Sequence, residues 1–295
     1  MQGHIIKGYS GFYYVASAYK IYECSLRGKN RIAKGGFLPG DIVEFTALSE
    51  KEGAEKGVIE KVISRKNQLI RPSIANVDQI IIVTSAANPA PDLMFVDRMS
   101  VIALYNKIEP IICFSKADLL TAEEKAALAQ IYQPTGFSTL FTSSVNMLGI
   151  ENLKTRLHGK ISVFAGNSGV GKSSLVNILS ARNYSQVGEI SAKLKRGKHT
   201  TRHVELFTLD EQSFVADTPG FSALSLPEEL KREQLARFFP DFMEYLDECR
   251  FNTCLHDKEP DCAVKEALNE SKISKSRYEN YLILLQEVIA NERSF

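Results

Sequence analysis

The run Ile161 to Leu179, ISVFAGNSGVGKSSLVNIL, restricts this chain more than any other stretch. An apolar segment (Ile161, Val163, Phe164) leads directly into Gly166-Asn167-Ser168-Gly169-Val170-Gly171-Lys172-Ser173, the pattern G-x-x-x-x-G-K-[ST], and then into apolar residues at helical spacing (Leu175, Ile178, Leu179). Strand, glycine-rich turn and helix in that order describe a phosphate-binding loop. Its glycines let backbone N–H groups curl around a polyphosphate, and the helix N-terminus adds the positive end of its dipole. Lys172 then reaches the β- and γ-phosphates while the Ser173 hydroxyl ligates Mg²⁺. The candidate nucleotide-binding set is Gly166, Asn167, Ser168, Gly169, Val170, Gly171, Lys172, Ser173 and Ser174. The competing reading is a plain glycine-rich strand-to-helix turn.

A chain of 295 residues holds about two domains, or one nucleotide-binding domain with smaller attachments. The net charge of +1 conceals a polarity: residues 1–72 carry 12 Lys and Arg against 7 Asp and Glu, and residues 226–295 carry 10 against 15. The basic end is the better nucleic-acid candidate. No signal peptide is read at Met1, and the longest apolar run, around Ile80 to Val83, is far too short to cross a bilayer. A cytoplasmic monomer with no membrane partner is expected. Five cysteines, three of them between Cys249 and Cys262, suit a metal site better than a disulfide framework.

In chain order, residues 3 to 66 read as short strands separated by Gly28, Gly35-Gly36, Pro39-Gly40 and Gly53. That predicts an OB-type β-barrel over residues 1–68. Arg27, Lys29, Arg31 and Lys34 on one loop, with Tyr9, Phe12, Tyr13 and Tyr14 as stacking platforms, make it an RNA-binding candidate; the competing reading is a solvated loop and core aromatics. From Val77 the pattern becomes alternating strands and helices, including a helix opened by the capping box Thr121-x-x-Glu124. Near-continuously apolar strands between helices predict a mostly parallel sheet with helices on both faces, over residues 69–225. Glu189 to Arg202, EISAKLKRGKHTTR, reads as a basic loop, and the strand QSFVADTPG ends in Asp217-Thr218-Pro219-Gly220. Residues 226–295 are acidic and helical, closing with a helix from about Ser276 to Asn291 started by a capping box Ser276-x-x-Glu279.

The phosphate loop does not tell ATP from GTP. Ser115-Lys116-Ala117-Asp118, after the strand PIICF, is similar to the N/T-K-x-D element whose aspartate accepts from guanine N1 and N2; adenine offers no such donor pair. Thr142-Ser143-Ser144 ends the next strand and looks like the loop that reaches guanine O6, so Ser115, Lys116, Asp118, Ser143 and Ser144 join the nucleotide-binding candidates. Ordinary GTPases place these elements after the phosphate loop. Here they come first, so the sequence resembles a circularly permuted GTPase. Further on, Cys249-x4-Cys254-x-His256-x5-Cys262 supplies three thiolates and an imidazole, a closed tetrahedral set for one structural Zn²⁺, expected to give shape to a segment poor in apolar residues.

Barrel, permuted GTPase domain and zinc-binding helical domain together, with GNSGVGKSS, GKHTTR and DTPGF, resemble the ribosome small subunit-dependent GTPase A (RsgA) family along essentially the whole chain. The resemblance implies GTP hydrolysis coupled to late maturation of the small ribosomal subunit, binding to the subunit and its rRNA, and stimulation by it. Carried over residue by residue, it implies that Ser173, Asp217 and either Thr200 or Thr201 serve Mg²⁺ and that the Gly220 N–H meets the γ-phosphate. Phe221 stands where many GTPases have the glutamine that orients water, so His199 is the implied catalytic residue. Ser115 departs from the usual Asn or Thr and loses an amide that buttresses the pocket. Two other readings compete: an RNA-binding P-loop ATPase, and a GTP-binding scaffold without significant turnover.

Overall fold

Alternating burial along short strands closes a barrel at the N-terminal end of the chain. The computed structural model describes residues 1–9, 11–26, 36–48, 55–70, 72–181, 204–217 and 225–293, with the backbone alone at Ala181 and Asp217. It divides into two units, residues 1–80, 151–164 and 173–221, and residues 81–150, 165–172 and 222–295.

In the first unit, β1 (Gln2–Tyr9), β2 (Phe12–Ser17), β3 (Lys20–Leu26), β4 (Ile42–Leu48) and β5 (Lys56–Val62) form a closed barrel in the order β1-β2-β3-β5-β4. β3 and β5 pair in parallel and the other neighbours antiparallel, which is the expected OB-type arrangement. Inward positions at period two, Ile5, Val15, Tyr22, Cys24, Val43, Phe45 and Ile59, make its core. Of the four proposed stacking aromatics, Tyr9 and Phe12 are exposed, whereas Tyr13 packs on Phe37 and the Tyr14 hydroxyl donates to Glu23. The basic loop Arg27, Lys29, Arg31 and Lys34 lies outside the described residues.

A two-strand ribbon, β6 (Gln68–Leu69) with β7 (Ile74–Ala75), follows the barrel. Asp78 then exchanges two hydrogen bonds with the Ile161 backbone, at 2.9 and 2.8 Å, setting the start of β8 (Gln79–Ser85) beside β11 (Ile161–Ala165). β13 (Phe214–Asp217) runs parallel to β11, and β12 (Glu205–Thr208) pairs antiparallel with β13 as an edge. The barrel touches this hairpin through His4, whose ring centroid lies 4.9 Å from that of Phe214, and through a 3.2 Å ion pair from Lys7 to Glu205.

The second unit holds the rest of β8 together with β9 (Glu109–Ser115) and β10 (Ser138–Phe141), in the order β8-β9-β10, with β9 and β10 parallel. Every residue of β8 is buried, as a strand covered on both faces requires. Helices α1 (Leu93–Tyr105), α2 (Ala122–Tyr132), α3 (Ile150–Leu157) and α4 (Lys172–Ala181) alternate with the strands of the two units. The Thr121–Glu124 capping box on α2 forms in both directions.

The C-terminal residues fold as 3₁₀ turns over Arg232–Phe238 and Pro240–Glu248, then α5 (Ala263–Asn269) and α6 (Lys275–Arg293). Two expectations need correcting here. α6 starts one residue before Ser276, and the Tyr278 N–H donates to the Ser274 carbonyl, so no Ser276–Glu279 box forms; Glu279 instead faces Lys275 at 3.7 Å. Nor does the segment lack a core: Leu235, Phe239, Phe242, Tyr281, Leu284 and Leu285 are buried together, with Phe239 and Phe242 each about one ring diameter from Tyr281, at 5.2 and 5.1 Å. Tyr281, Leu284 and Leu285 lie on α6, but Leu235, Phe239 and Phe242 come from the 3₁₀ turns and their junction, where a 3.6-residue pattern does not reveal them.

That core limits what the metal does. Chelation of zinc is expected to speed amide exchange about tenfold or more across residues 249–262 while α6 keeps its protection. Hydrogen exchange with and without chelator measures this, and simultaneous melting of α6 would show that the metal organises the whole segment.

Candidate nucleotide and metal sites

The phosphate loop links β11 to α4, and close approach dictates its first glycine. A Cβ at Gly166 would stand 2.5 Å from the Val83 carbonyl oxygen, inside any permissible contact. Gly171, at φ +91°, takes a left-handed turn that only glycine adopts cheaply. Val170 is buried, whereas Ser168, Gly169, Ser173 and Ser174 are exposed and free to meet a ligand. The Lys172 ammonium donates to the Gly166 carbonyl across the loop at 3.2 Å, and Asn167 Nδ2 donates to Asp92 at 2.8 Å. These features fit a polyphosphate: a glycine cradle, open backbone and a lysine folded over it.

Ser115 ends β9 beneath this loop. Its buried hydroxyl lies within hydrogen-bonding distance of the Val170 carbonyl, and less closely of the Thr84 carbonyl at 3.3 Å. The departure from Asn or Thr therefore still leaves a side chain that buttresses the phosphate loop. Lys116 adopts a left-handed conformation, φ 55°, with its ammonium on the Asn88 carbonyl; Asp118 is exposed on the following 3₁₀ turn, Ala117–Leu119. The Ala117 N–H donates to the Thr142 carbonyl at 3.0 Å and the Thr142 N–H to the Phe114 carbonyl at 2.8 Å, which joins the two candidate base-reading elements. Ser143 is buried and accepts from the Val145 N–H at 3.1 Å, so its side chain shapes the turn, and Ser144 is half-buried beside it.

Asp92 was not among the sequence candidates, although an aspartate directly before a helical run is an N-cap signal that could have drawn attention to it. His199, Thr200, Thr201 and Gly220 lie outside the described residues, as does the side chain of Asp217, whose backbone faces Glu205 across the β12–β13 hairpin.

The four zinc candidates do converge. One donor atom from each of Cys249, Cys254, His256 and Cys262 lies within 4.8 Å of all the others. The Cys249 and Cys262 sulfurs are 3.9 Å apart, and His256 Nδ1 is 3.5 and 3.4 Å from them. Tetrahedral thiolates about 2.3 Å from a zinc ion would be separated by roughly 3.8 Å, so the donor set fits that metal with no position left for water. Outer contacts hold the turn: the Tyr278 hydroxyl donates to the His256 carbonyl, the Tyr281 hydroxyl to the Leu255 carbonyl, and Glu259 accepts from the Leu255 and Asp257 N–H groups. Burial pushes the Cys254 thiol up to about 12 and lowers the His256 pKa, favouring a neutral imidazole ligand while making zinc binding expel thiol protons.

Residues 62–227 match the family model of the RsgA GTPase, and residues 2–54 that of the RsgA N-terminal domain. A small ribosomal subunit biogenesis GTPase RsgA from Caldanaerobacter subterraneus is 47% identical over 295 residues, spanning 99% of this chain and 97% of the relative. Its counterpart from Moorella thermoacetica is 45% identical over 295 residues and 100% of both chains. Among solved structures, YloQ, a circularly permuted GTPase, superposes with a TM-score of 0.79 at 36% identity, over 98% of this chain and 95% of its own. YjeQ from Thermotoga maritima gives 0.79 at 34% identity, over 98% of each. Among the described residues no helix is long and apolar enough to cross a membrane. The chain belongs to the RsgA GTPase family, as a circularly permuted GTP hydrolase that works with Mg²⁺ and carries one structural zinc site.

Proposed function

We propose that this GTPase binds the small ribosomal subunit in the cytoplasm as a monomer and couples GTP hydrolysis to late maturation of the subunit, which in turn stimulates turnover. The observation that carries the reading is full-length similarity, at 40–47% identity, to relatives named small ribosomal subunit biogenesis GTPase. The division of labour follows the domains read from sequence: residues 1–68 contact rRNA, residues 69–225 hydrolyse GTP and residues 226–295 form the zinc-binding module. On the barrel, exposed Tyr9 and Phe12 offer stacking faces for unpaired bases.

In the nucleotide site, Asp118 accepts from the guanine N1 and N2 groups, the Lys116 stem lies along the base, and Ser143 and Ser144 shape the turn that meets O6. The loop from Gly166 to Ser174 wraps the phosphates, Lys172 draws charge from the β- and γ-phosphates, and the Gly220 N–H senses the γ-phosphate. Ser173, Asp217 and Thr200 or Thr201 would hold Mg²⁺, which would supply positive charge against the phosphates. His199 orients or deprotonates the attacking water, because Phe221 carries no polar group. Its place on the basic loop Lys193 to Arg202 gives partner dependence a physical source: rRNA phosphates that gather the loop also bring in the imidazole.

The deciding experiment is GTP turnover with and without purified small subunits. Stimulation by the subunit is expected for the parent, with about a hundredfold loss of stimulated turnover for His199→Ala. An unstimulated parent would favour a GTP-binding scaffold. Base recognition has its own check: Asp118→Asn should lower kcat/KM for GTP by about a hundredfold and raise it for xanthosine triphosphate, whose extra carbonyl matches the new amide. Unchanged GTP turnover in that variant would favour the P-loop ATPase.

A further inference from the structure

Asp92 joins three elements through three hydrogen bonds. As the N-cap of α1 it accepts the Phe95 N–H on Oδ1 at 2.9 Å, and its own N–H donates to Thr84 Oγ1 on β8 at 3.0 Å. The remaining carboxylate oxygen, Oδ2, accepts from Asn167 Nδ2 at 2.8 Å. Asn167 belongs to the phosphate loop, so one side chain both starts a helix and holds the loop. α1 is itself fixed further along: buried Asp97 binds Arg277 and Asn280 of α6, and Arg98 makes a two-bond pair with Glu287 of α6 at 2.7 and 2.6 Å.

We propose that Asp92 is a positioning residue for GTP: by capping α1 with one carboxylate oxygen and holding Asn167 with the other, it keeps the phosphate loop in its nucleotide-receiving shape. The inference rests on the reading of residues 166–173 as the loop that receives the GTP phosphates. A glycine-rich loop loses backbone entropy when it closes on a ligand, and a tether in place beforehand reduces that loss. The tether is a charge-assisted bond, and the cap fixes the Asp92 rotamer so that Oδ2 stays aimed at Asn167.

Electrostatics alone predicts the opposite sign. A carboxylate beside a polyphosphate site repels the ligand, so a bystander Asp92 would leave affinity unchanged or improve it when removed.

The test uses full-length protein, titration with a fluorescent GTP analogue, and steady-state GTP turnover. Asp92→Ser keeps a capping hydroxyl for the Phe95 N–H but is too short to reach Asn167. It should weaken binding and raise KM by about fivefold, with kcat and melting temperature near those of the parent. Asp92→Asn keeps an oxygen for the cap and lets the Asn167 amide turn over and accept, so its affinity should stay within about twofold of the parent. Asn167→Ala should show the same loss as Asp92→Ser, and the double variant should lose nothing more. The proposal is overturned if Asp92→Ser binds as tightly as the parent or tighter, or if the two losses multiply in the double variant. A parent that binds no GTP would overturn the functional reading beneath it instead.

Discussion

Lys172→Ala is expected to lower kcat/KM for GTP by about a thousandfold while leaving the protein folded. Phosphoryl transfer asks little of the protein beyond position and charge, and the Lys172 ammonium is the cation that the phosphate loop itself carries. A single preorganised donor aimed at developing charge is worth a factor of roughly 10² to 10³ in a site that excludes water. The ammonium also serves the bound ground state, so KM should rise together with the fall in kcat. Stability should barely change: Lys172 is only half-buried and its partner is one backbone carbonyl, that of Gly166, so truncation strands no buried charge. Turnover and thermal melting measured on the same preparation check both halves. Activity within tenfold of the parent, with binding retained, would mean that the ammonium does not face the phosphates.

Contrasting visibility in the sequence follows from how far apart the interacting groups lie. The phosphate loop was legible because its chemistry is written in consecutive residues, and the barrel because period-two burial and turn glycines are local signals. The zinc set was legible because cysteine is scarce elsewhere in the chain and its four ligands fall within one short span. The link between Asn167 and Asp92 spans 75 residues, and that between Arg277 and Asp97 spans 180; no local pattern marks either. At α6 the helix begins at Lys275, so Ser276 falls inside it rather than at its cap, a displacement within the usual uncertainty of helix ends. The acidic composition of the C-terminal residues hid an aromatic core because most of the acidic side chains, buried Asp241 aside, face outward while Phe239, Phe242 and Tyr281 turn inward.

That core is also where the second large effect is expected. Arg277→Met should destabilise the C-terminal helical segment by roughly 3–5 kcal/mol. Arg277 is 1% exposed, and it lies over the rings of Tyr132 and Phe239 at 5.2 and 5.1 Å. Its Nε and Nη2 bind the two oxygens of Asp241 at 2.8 and 2.7 Å, and Nη1 binds Asp97. Two carboxylates share one guanidinium, and burial pushes the Asp97 carboxyl up to about 6 even with that partner present. Methionine fills much of the same space yet leaves both carboxylates without a cation, so they must protonate or draw in water. Replacing all three groups together, Asp97→Leu and Asp241→Leu with Arg277→Met, removes the stranded charge and should recover most of the loss, since apolar side chains of similar volume often match a buried ion cluster in stability. Hydrogen exchange on α6 is the suitable measurement, because it reports opening of this segment without requiring the whole chain to unfold in one step. Should the single variant cost under about 1 kcal/mol, or the triple variant prove no more stable than the single, unpaired buried charge would not be what makes Arg277 indispensable.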